Sequence, residues 1–403
     1  MPWKPRPQHL RAALVRSPER PILIGSDIFR QSRHASGHPL AIPRVSLAID
    51  LCRALGWLPD AAYRESPRAS PEELARFHVA GYIAAVQDAE RDQEVSDEVR
   101  RRFNLGVNGN AIYREMFRRP ATACGASLMA ARMLSARPGI VYNPAGGTHH
   151  GQRDRASGYC IFNDPALAIL QFLDAGVTRV FYLDLDAHFG DGVQQAFHDD
   201  ERVFTLSVHE EGRWPMWRAG AGQKLNGGPQ GGGGPGSVHD RAGGAARNLP
   251  VPPGFNDAEM AFFRDEVIVP LITAFAPEVL VVQCGADALA DDPMTRLALS
   301  NGALWSVIAA TASMAPRLLV LGGGGYNPYA VARCWAGVWA ALNEIAAPER
   351  LPAAAEALLR EVRWNHRLGR NPPPAWTTTL ADPPSPGAIR SEVREVARLA
   401  LRP

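Results

Sequence analysis

Residues 177–192 read V-T-R-V-F-Y-L-D-L-D-A-H-F-G-D-G, and their pattern decides the fold. The run 177–183 is rich in β-branched and aromatic residues and shows no alternating polar face. That pattern suits a strand buried on both sides in the middle of a parallel sheet. Asp184, Asp186 and His188 follow at alternate positions. In extended chain the side-chain period of two aims all three to the same side, which brings two carboxylates and an imidazole together. Gly190-Asp191-Gly192 then breaks the strand and 193–197 reads as a helix, so the acidic cluster stands at a strand-to-helix junction. In open α/β sheets ligands bind there, outside the carboxyl ends of the strands.

The same rhythm extends in both directions. A first strand and the turn after it are expected in 21–29, further strands at 139–143, 202–208, 278–283 and 317–321, and helices at 44–55, 71–78, 81–90, 121–134, 165–173, 257–274, 302–314 and 328–345. Alternating strands and helices imply crossover connections and a mostly parallel central sheet between helical layers. Residues 1–20 read as an N-terminal arm and 21–348 as one catalytic domain carrying a flexible glycine-rich insert at about 226–236. Residues 349–403 read as a helix (353–363) followed by an extended, proline-rich tail.

Polar residues competent for metal binding or proton transfer close five successive strand candidates: His149 and His150, then Asp184, Asp186, His188 and Asp191, then Ser207 to His209, then Asp287, and finally Tyr326. Chance placement would scatter them over both ends of the strands, so they point to one active site at one sheet edge. Asp186, His188 and Asp287 form an open, three-ligand set suited to a catalytic zinc or another borderline divalent ion. The histidine pair suits proton transfer near neutrality, with Asp184 and Asp191 available to orient it. A phenol at Tyr326 suits donation to a developing oxyanion.

Composition removes several classes of function. Of 403 residues, 43 are basic and 41 acidic, so a net charge of +2 gives no electrostatic basis for direct nucleic acid binding. No run approaches the roughly 18 apolar residues of a membrane span. The five cysteines are scattered, without a C-x-x-C pair, as in a reducing compartment, and the expected location is the cytoplasm. Cys160 and Cys284 read as inert buried thiols, and Asn163-Asp164 as a helix cap.

From about residue 22 to about residue 345 the chain resembles the zinc-dependent histone deacetylase superfamily, in particular its class I-like and bacterial acetoin-utilisation-type members. The resemblance lies in G-G-T-H-H-G-Q-R-D-R-A-S-G-Y-C-I-F-N-D, L-D-L-D-A-H-F-G-D-G-V-Q, L-S-V-H-E, G-A-D-A-L-A-D-D-P-M and L-G-G-G-G-Y-N, in that order. It implies an arginase-like α/β/α fold, with zinc on Asp186, His188 and Asp287. His150, paired with Asp191, would be general base and then general acid; His149, paired with Asp184, would support it electrostatically; Tyr326 would stabilise the oxyanion. A structural potassium would sit on Asp184, Asp186, Ser207 and the main chain of His188 and Val208. Gly158, Tyr159, Trp214 and Met294 would line a channel for an acylated lysine, with Arg44 near an internal acetate exit.

Three departures stand out. Asn108 occupies the place of the aspartate that clamps a peptide backbone, and Phe189 replaces a histidine in a packing position. Residues 215–220, P-M-W-R-A-G, replace a glycine turn and add Met216 and Trp217 at the rim. The implied activity is removal of an acetyl or other acyl group from lysine in proteins or peptides, by a protein that can form oligomers. A deacetylase of small acylated amines such as acetylpolyamines is the alternative; Met294 stands where those members carry glutamate, while Asp291 and Asp292 lie nearby. A non-catalytic acyl-lysine binding module would show damage to Tyr326, His150 or a ligand, and a binuclear manganese ureohydrolase would need further carboxylates.

Overall fold

A strand covered on both faces needs apolar residues at every position, and the central strands of this sheet meet that demand. The computed structural model describes residues 20–215 and 234–402. The arm at 1–19, Met216, Trp217 and 226–233 of the insert lie outside the described residues. Eight strands build one sheet: β1 (Ile22–Gly25), β2 (Tyr63–Glu65), β3 (Gly139–Asn143), β4 (Val180–Asp184), β5 (Val203–Glu210), β6 (Ala246–Val251), β7 (Val279–Gln283) and β8 (Arg317–Leu321). Their order is β2-β1-β3-β8-β7-β4-β5-β6, and every pairing is parallel.

In β4 the two faces divide cleanly. Phe181 and Leu183 enter one core, shared with α1 (Arg44–Ala54) and other helices, while Val180 and Tyr182 enter a second. The second core is covered by α2 (Arg118–Ala136) and α3 (Asp164–Asp174). The first also takes in α4 (Asn301–Thr311) and α5 (Pro328–Leu342), whose Trp335 and Trp339 are fully buried. The result is a three-layer α/β/α architecture.

Parallel pairing puts all carboxyl ends on one edge. Asp184 is in register with Ser207 on one side and Gln283 on the other, Gln283 with Leu321, and Leu321 with Asn143. The last residues of β3, β8, β7 and β4 therefore form a row, with Ser207 of the longer β5 beside it, and the loops after these strands share one mouth.

Three expectations need correction. Residues 246–251, which are not among the expected strands, form β6; its Pro250 removes a ladder donor, which an edge strand tolerates. Residues 63–65 form the three-residue edge strand β2, too short for a visible period. The tail is not simply extended: α6 (Ser391–Ala400) buries Val393, Ala397 and Ala400, and Arg247 and Arg241 donate to the carbonyls of Ala400 and Leu399. Ahead of α6, Arg390 pairs with the buried Glu259. Among the described residues, no helix is long and apolar enough to cross a membrane.

Candidate active site

The β4 ladder ends at Asp184, but the period of two runs on: Leu185 and Ala187 enter the core while Asp186 and His188 turn away from it. Two turns of Asx type shape this segment, the Asp186 N–H donating to Asp184 Oδ1 at 3.2 Å and the His188 N–H to Asp186 Oδ1 at 3.0 Å. Asp287 arrives from the end of β7 and accepts the Ala187 N–H at 3.0 Å. Ligand atoms of Asp186, His188 and Asp287 lie within 4.8 Å of one another, all buried.

Two buried carboxylates this close attract a cation. Among the described residues neither makes an ion pair with lysine or arginine; both reach instead to His188 Nδ1, at 3.2 Å from Asp186 and 2.9 Å from Asp287. Burial opposes charge on His188, yet the two carboxylates outweigh it and push its pKa up to about 10. One imidazole and two carboxylates are a donor set that would hold a divalent ion such as zinc. Gln283 Nε2 and the Gly324 N–H donate to Asp186 Oδ2 at 2.8 and 2.7 Å and fix its orientation.

The histidine pair sits on the loop after β3. Asp164 holds that loop by accepting from the N–H groups of Gly147 and Thr148, while Asn163 alone caps α3. The dipeptide read as a cap thus splits into a cap and a loop anchor. His149 Nδ1 lies 2.7 Å from Asp184 and His150 Nδ1 2.6 Å from Asp191; the two Nε2 atoms are 2.9 Å apart. Burial opposes charge on His149, but Asp184 and Asp186 prevail and raise it to about 9. At His150 burial and the neighbouring His149 hold the pKa down to about 4 despite Asp191. One imidazole is thus charged and the other a neutral acceptor at Nε2.

Tyr326, 8% exposed, completes the group. Burial, with Asp287 and Asp186 nearby, raises its phenol well above the ordinary value, so it stays a donor. His149, His150, Gly158, Tyr159, His188 and Tyr326 are among the residues that enclose a cavity of about 50 Å³. Trp214 stands edge-on to His150 with ring centroids 4.8 Å apart and is 51% exposed, at the lip. Met294 is half-buried, and its carbonyl accepts from Arg213. Asn108 is exposed, and its amide donates to Asn104 Oδ1 at 2.8 Å; neither it nor Met294 lines the cavity. Arg44 lines it and donates to the carbonyl of Gly323 at 2.7 Å. Ser207, beside Asp184, shares a hydrogen bond with His209, and Phe189 packs on the same His209 ring. Cys160 and Cys284 are buried, which raises both thiols.

Sequence reasoning did not single out Gln283, Thr148 or Leu40. Gln283 was detectable as a polar residue ending an apolar strand; Thr148 and Leu40, which also line the cavity, carry no local signal.

A parallel α/β/α sheet with an Asp-His-Asp cluster and paired imidazoles at one edge defines a metal-site protein of the arginase-like fold. Residues 38–342 match the histone deacetylase domain, and the chain belongs to the histone deacetylase family. It is 32% identical over 322 residues to the acetoin utilization protein AcuC of Bacillus subtilis (strain 168), covering 78% of this chain and 80% of that one. It is 31% identical over 304 residues to histone deacetylase 1 of Oryza sativa subsp. japonica, covering 75% of this chain and 56% of that one. The chain spans little more than half the length of the nematode and rice relatives it matches. The crystal structure of a histone deacetylase homologue from Aquifex aeolicus superimposes with a TM-score of 0.85 at 33% identity, covering 95% of this chain and all of that one.

Proposed function

We propose that the chain is a zinc-dependent deacetylase that hydrolyses the side-chain amide of N-acetyl-lysine, or another acyl-lysine, in proteins or peptides. The observation that carries this reading is convergence: a three-donor cluster, two imidazole–carboxylate pairs and a protonated phenol meet at one cavity of about 50 Å³. When bound at Asp186, His188 and Asp287, zinc supplies Lewis acidity that eases water ionisation and polarises the scissile carbonyl.

The chain's own groups carry the protons. His150 accepts one from the attacking water at Nε2 and returns it to the leaving amine, with Asp191 fixing its tautomer. His149, charged against Asp184, stabilises negative charge as it develops. The Tyr326 hydroxyl donates to the oxyanion. Gly158 and Tyr159 in the cavity wall and Trp214 at its lip guide the lysine stem, and, outside the cavity, Met294 flanks the approach and the Asn108 side-chain oxygen accepts from a backbone N–H of the substrate. Asp184, Asp186, Ser207 and the carbonyls of His188 and Val208 hold a structural potassium. In this reading residues 21–348 are the catalytic unit, preceded by an arm and strapped by 349–403, and the protein works in the cytoplasm.

Asp291 and Asp292 do not favour an acetylpolyamine substrate. Asp292 is buried against main-chain amides and the Asp291 carboxylate is spent on the Trp376 indole N–H, so both are engaged within the protein. The test is steady-state turnover of an acetyl-lysine peptide and an acetylated polyamine by the zinc-loaded protein. Peptide turnover supports the reading; turnover of the polyamine alone moves the substrate to small amines, and none of either overturns it.

A further inference from the structure

Tyr326 ends a run of four glycines, of which Gly323 and Gly325 have φ of 137° and 135°. Such a loop has little stiffness of its own. A donor that stabilises an oxyanion works only if it is already in place when charge develops. Something outside the loop must therefore hold it.

Gly322 and Gly324 are tied by main-chain bonds and by the Gly324 N–H on Asp186, and three further grips reach the stretch that ends in Tyr326 and Asn327. Arg44 donates to the carbonyls of Gly323 and Gly325, at 2.7 and 3.4 Å. Asp292, 6% exposed, accepts the Tyr326 N–H itself at 2.6 Å, while its other oxygen accepts the Met294 N–H at 2.9 Å. The Asp291 carbonyl accepts from the Asn327 side chain at 3.0 Å, and Asn327 Oδ1 in turn caps α5. The pair Asp291-Asp292 thus grips the residues on which the phenol depends.

That grip is anchored from the C-terminal segment. The Trp376 indole N–H donates to the Asp291 carboxylate at 2.7 Å, and its ring packs on Tyr329, in the first turn of α5. Farther along the same segment, Asp382 pairs with the fully buried Arg333 of α5 at 2.6 Å and accepts the Asn301 N–H. A residue 50 positions beyond the active-site tyrosine thereby reaches its loop through one carboxylate.

We propose that Asp292 and Trp376 are positioning residues for Tyr326: the C-terminal segment, through Trp376 and the Asp291-Asp292 pair, holds the phenol in its donating position. The proposal rests on the deacetylase reading for its catalytic consequence, but its structural half is independent of it. It also assigns a working role to residues 349–403, which lie beyond the matched domain.

The test combines two readouts on the full-length protein. Amide hydrogen exchange of the peptide containing Tyr326 is measured for wild type, Asp292→Asn and Trp376→Phe, the last of which keeps a six-membered aromatic ring and removes the indole donor together with its five-membered ring. Turnover of an acetyl-lysine peptide by the zinc-loaded proteins is measured for the same variants, each also combined with Tyr326→Phe. Exchange is expected to quicken about tenfold in Trp376→Phe and more in Asp292→Asn. The value of kcat is expected to fall roughly tenfold or more in Asp292→Asn and a few-fold in Trp376→Phe, with KM nearly constant. In the Tyr326→Phe background neither substitution should lower kcat further.

Equal losses with and without the Tyr326 hydroxyl would overturn the proposal, as would unchanged exchange in Trp376→Phe. If Asp292→Asn does not fold, Trp376→Phe alone decides by the same criteria. A wild type that protects the Tyr326 amide but turns over no acetyl-lysine would sink the deacetylase reading and leave the clamp standing. Rapid exchange of that amide in an active wild type would sink the clamp alone.

Discussion

His149 and His150 face each other with Nε2 atoms 2.9 Å apart, and each is backed by a different carboxylate, Asp184 and Asp191. Neighbouring imidazoles cannot both hold a proton cheaply, and the surroundings decide between them: His149 is driven up to about 9, His150 down to about 4. In the proposed mechanism, separated values of this kind give His149 the part of charge stabiliser and His150 that of base.

Replacing His150 by alanine is expected to lower kcat about 10²–10⁴-fold, the range for a lost general base. His149→Ala should cost less, because it removes charge rather than the proton acceptor. Steady-state kinetics of the two zinc-loaded variants decide this, and equal losses would contradict the division of roles.

Metal retention offers a separate check on the Asp186 surroundings. Gln283→Leu removes the amide that donates to Asp186 Oδ2 at 2.8 Å while conserving volume. Zinc affinity, followed by competition with a chromogenic chelator, should drop roughly 10–100-fold, as for other groups that orient a ligand. Full chelation should abolish turnover, and added zinc should restore it.

Asn108 tests the substrate class. Its amide spends a hydrogen on Asn104, and its oxygen is a neutral acceptor. Asn108→Asp makes that acceptor charged, which strengthens a hydrogen bond by about 1 kcal/mol, or roughly fivefold. KM for an acetyl-lysine peptide should fall by about that factor, while KM for an acetylated diamine, which has no backbone amide, should not. No change for the peptide would remove Asn108 from the clamp.

His78 governs part of the acid stability. Its Nδ1–H donates to the Gln152 carbonyl and its Nε2 accepts the Asn163 N–H, both at 3.0 Å. Burial lowers its pKa from 6.5 to about 4. Below pH 6.5 the unfolded chain takes up a proton that the native imidazole refuses, so stability declines from about pH 6.5 to pH 4 and then levels. The loss from this residue is about 3 kcal/mol. Urea unfolding at pH 7 and pH 4.5 should show a smaller acid loss in His78→Gln than in wild type; an equal loss would rule out this histidine as the source.

The sequence by itself determined the parallel α/β class and the location of the chemistry. Central strands need unbroken apolar runs, and chemistry at a sheet edge needs polar residues directly after them; both are local patterns, legible in Val180 to His188 and again around Gln283 to Asp287. The edge strands β2 and β6 and the helix α6 were not read from the sequence. β2 has only three residues and β6 carries a proline, while Val393, Ala397 and Ala400 of α6 stand at helical spacing but follow a proline-rich stretch that masked them. Only the tertiary structure decided which imidazole is charged, because that depends on carboxylates 35 and 41 residues away. The same holds for Asp292 and Trp376. A buried aspartate that accepts two amides looks, in sequence, like any acidic loop residue, and its partner Tyr326 is 34 positions distant.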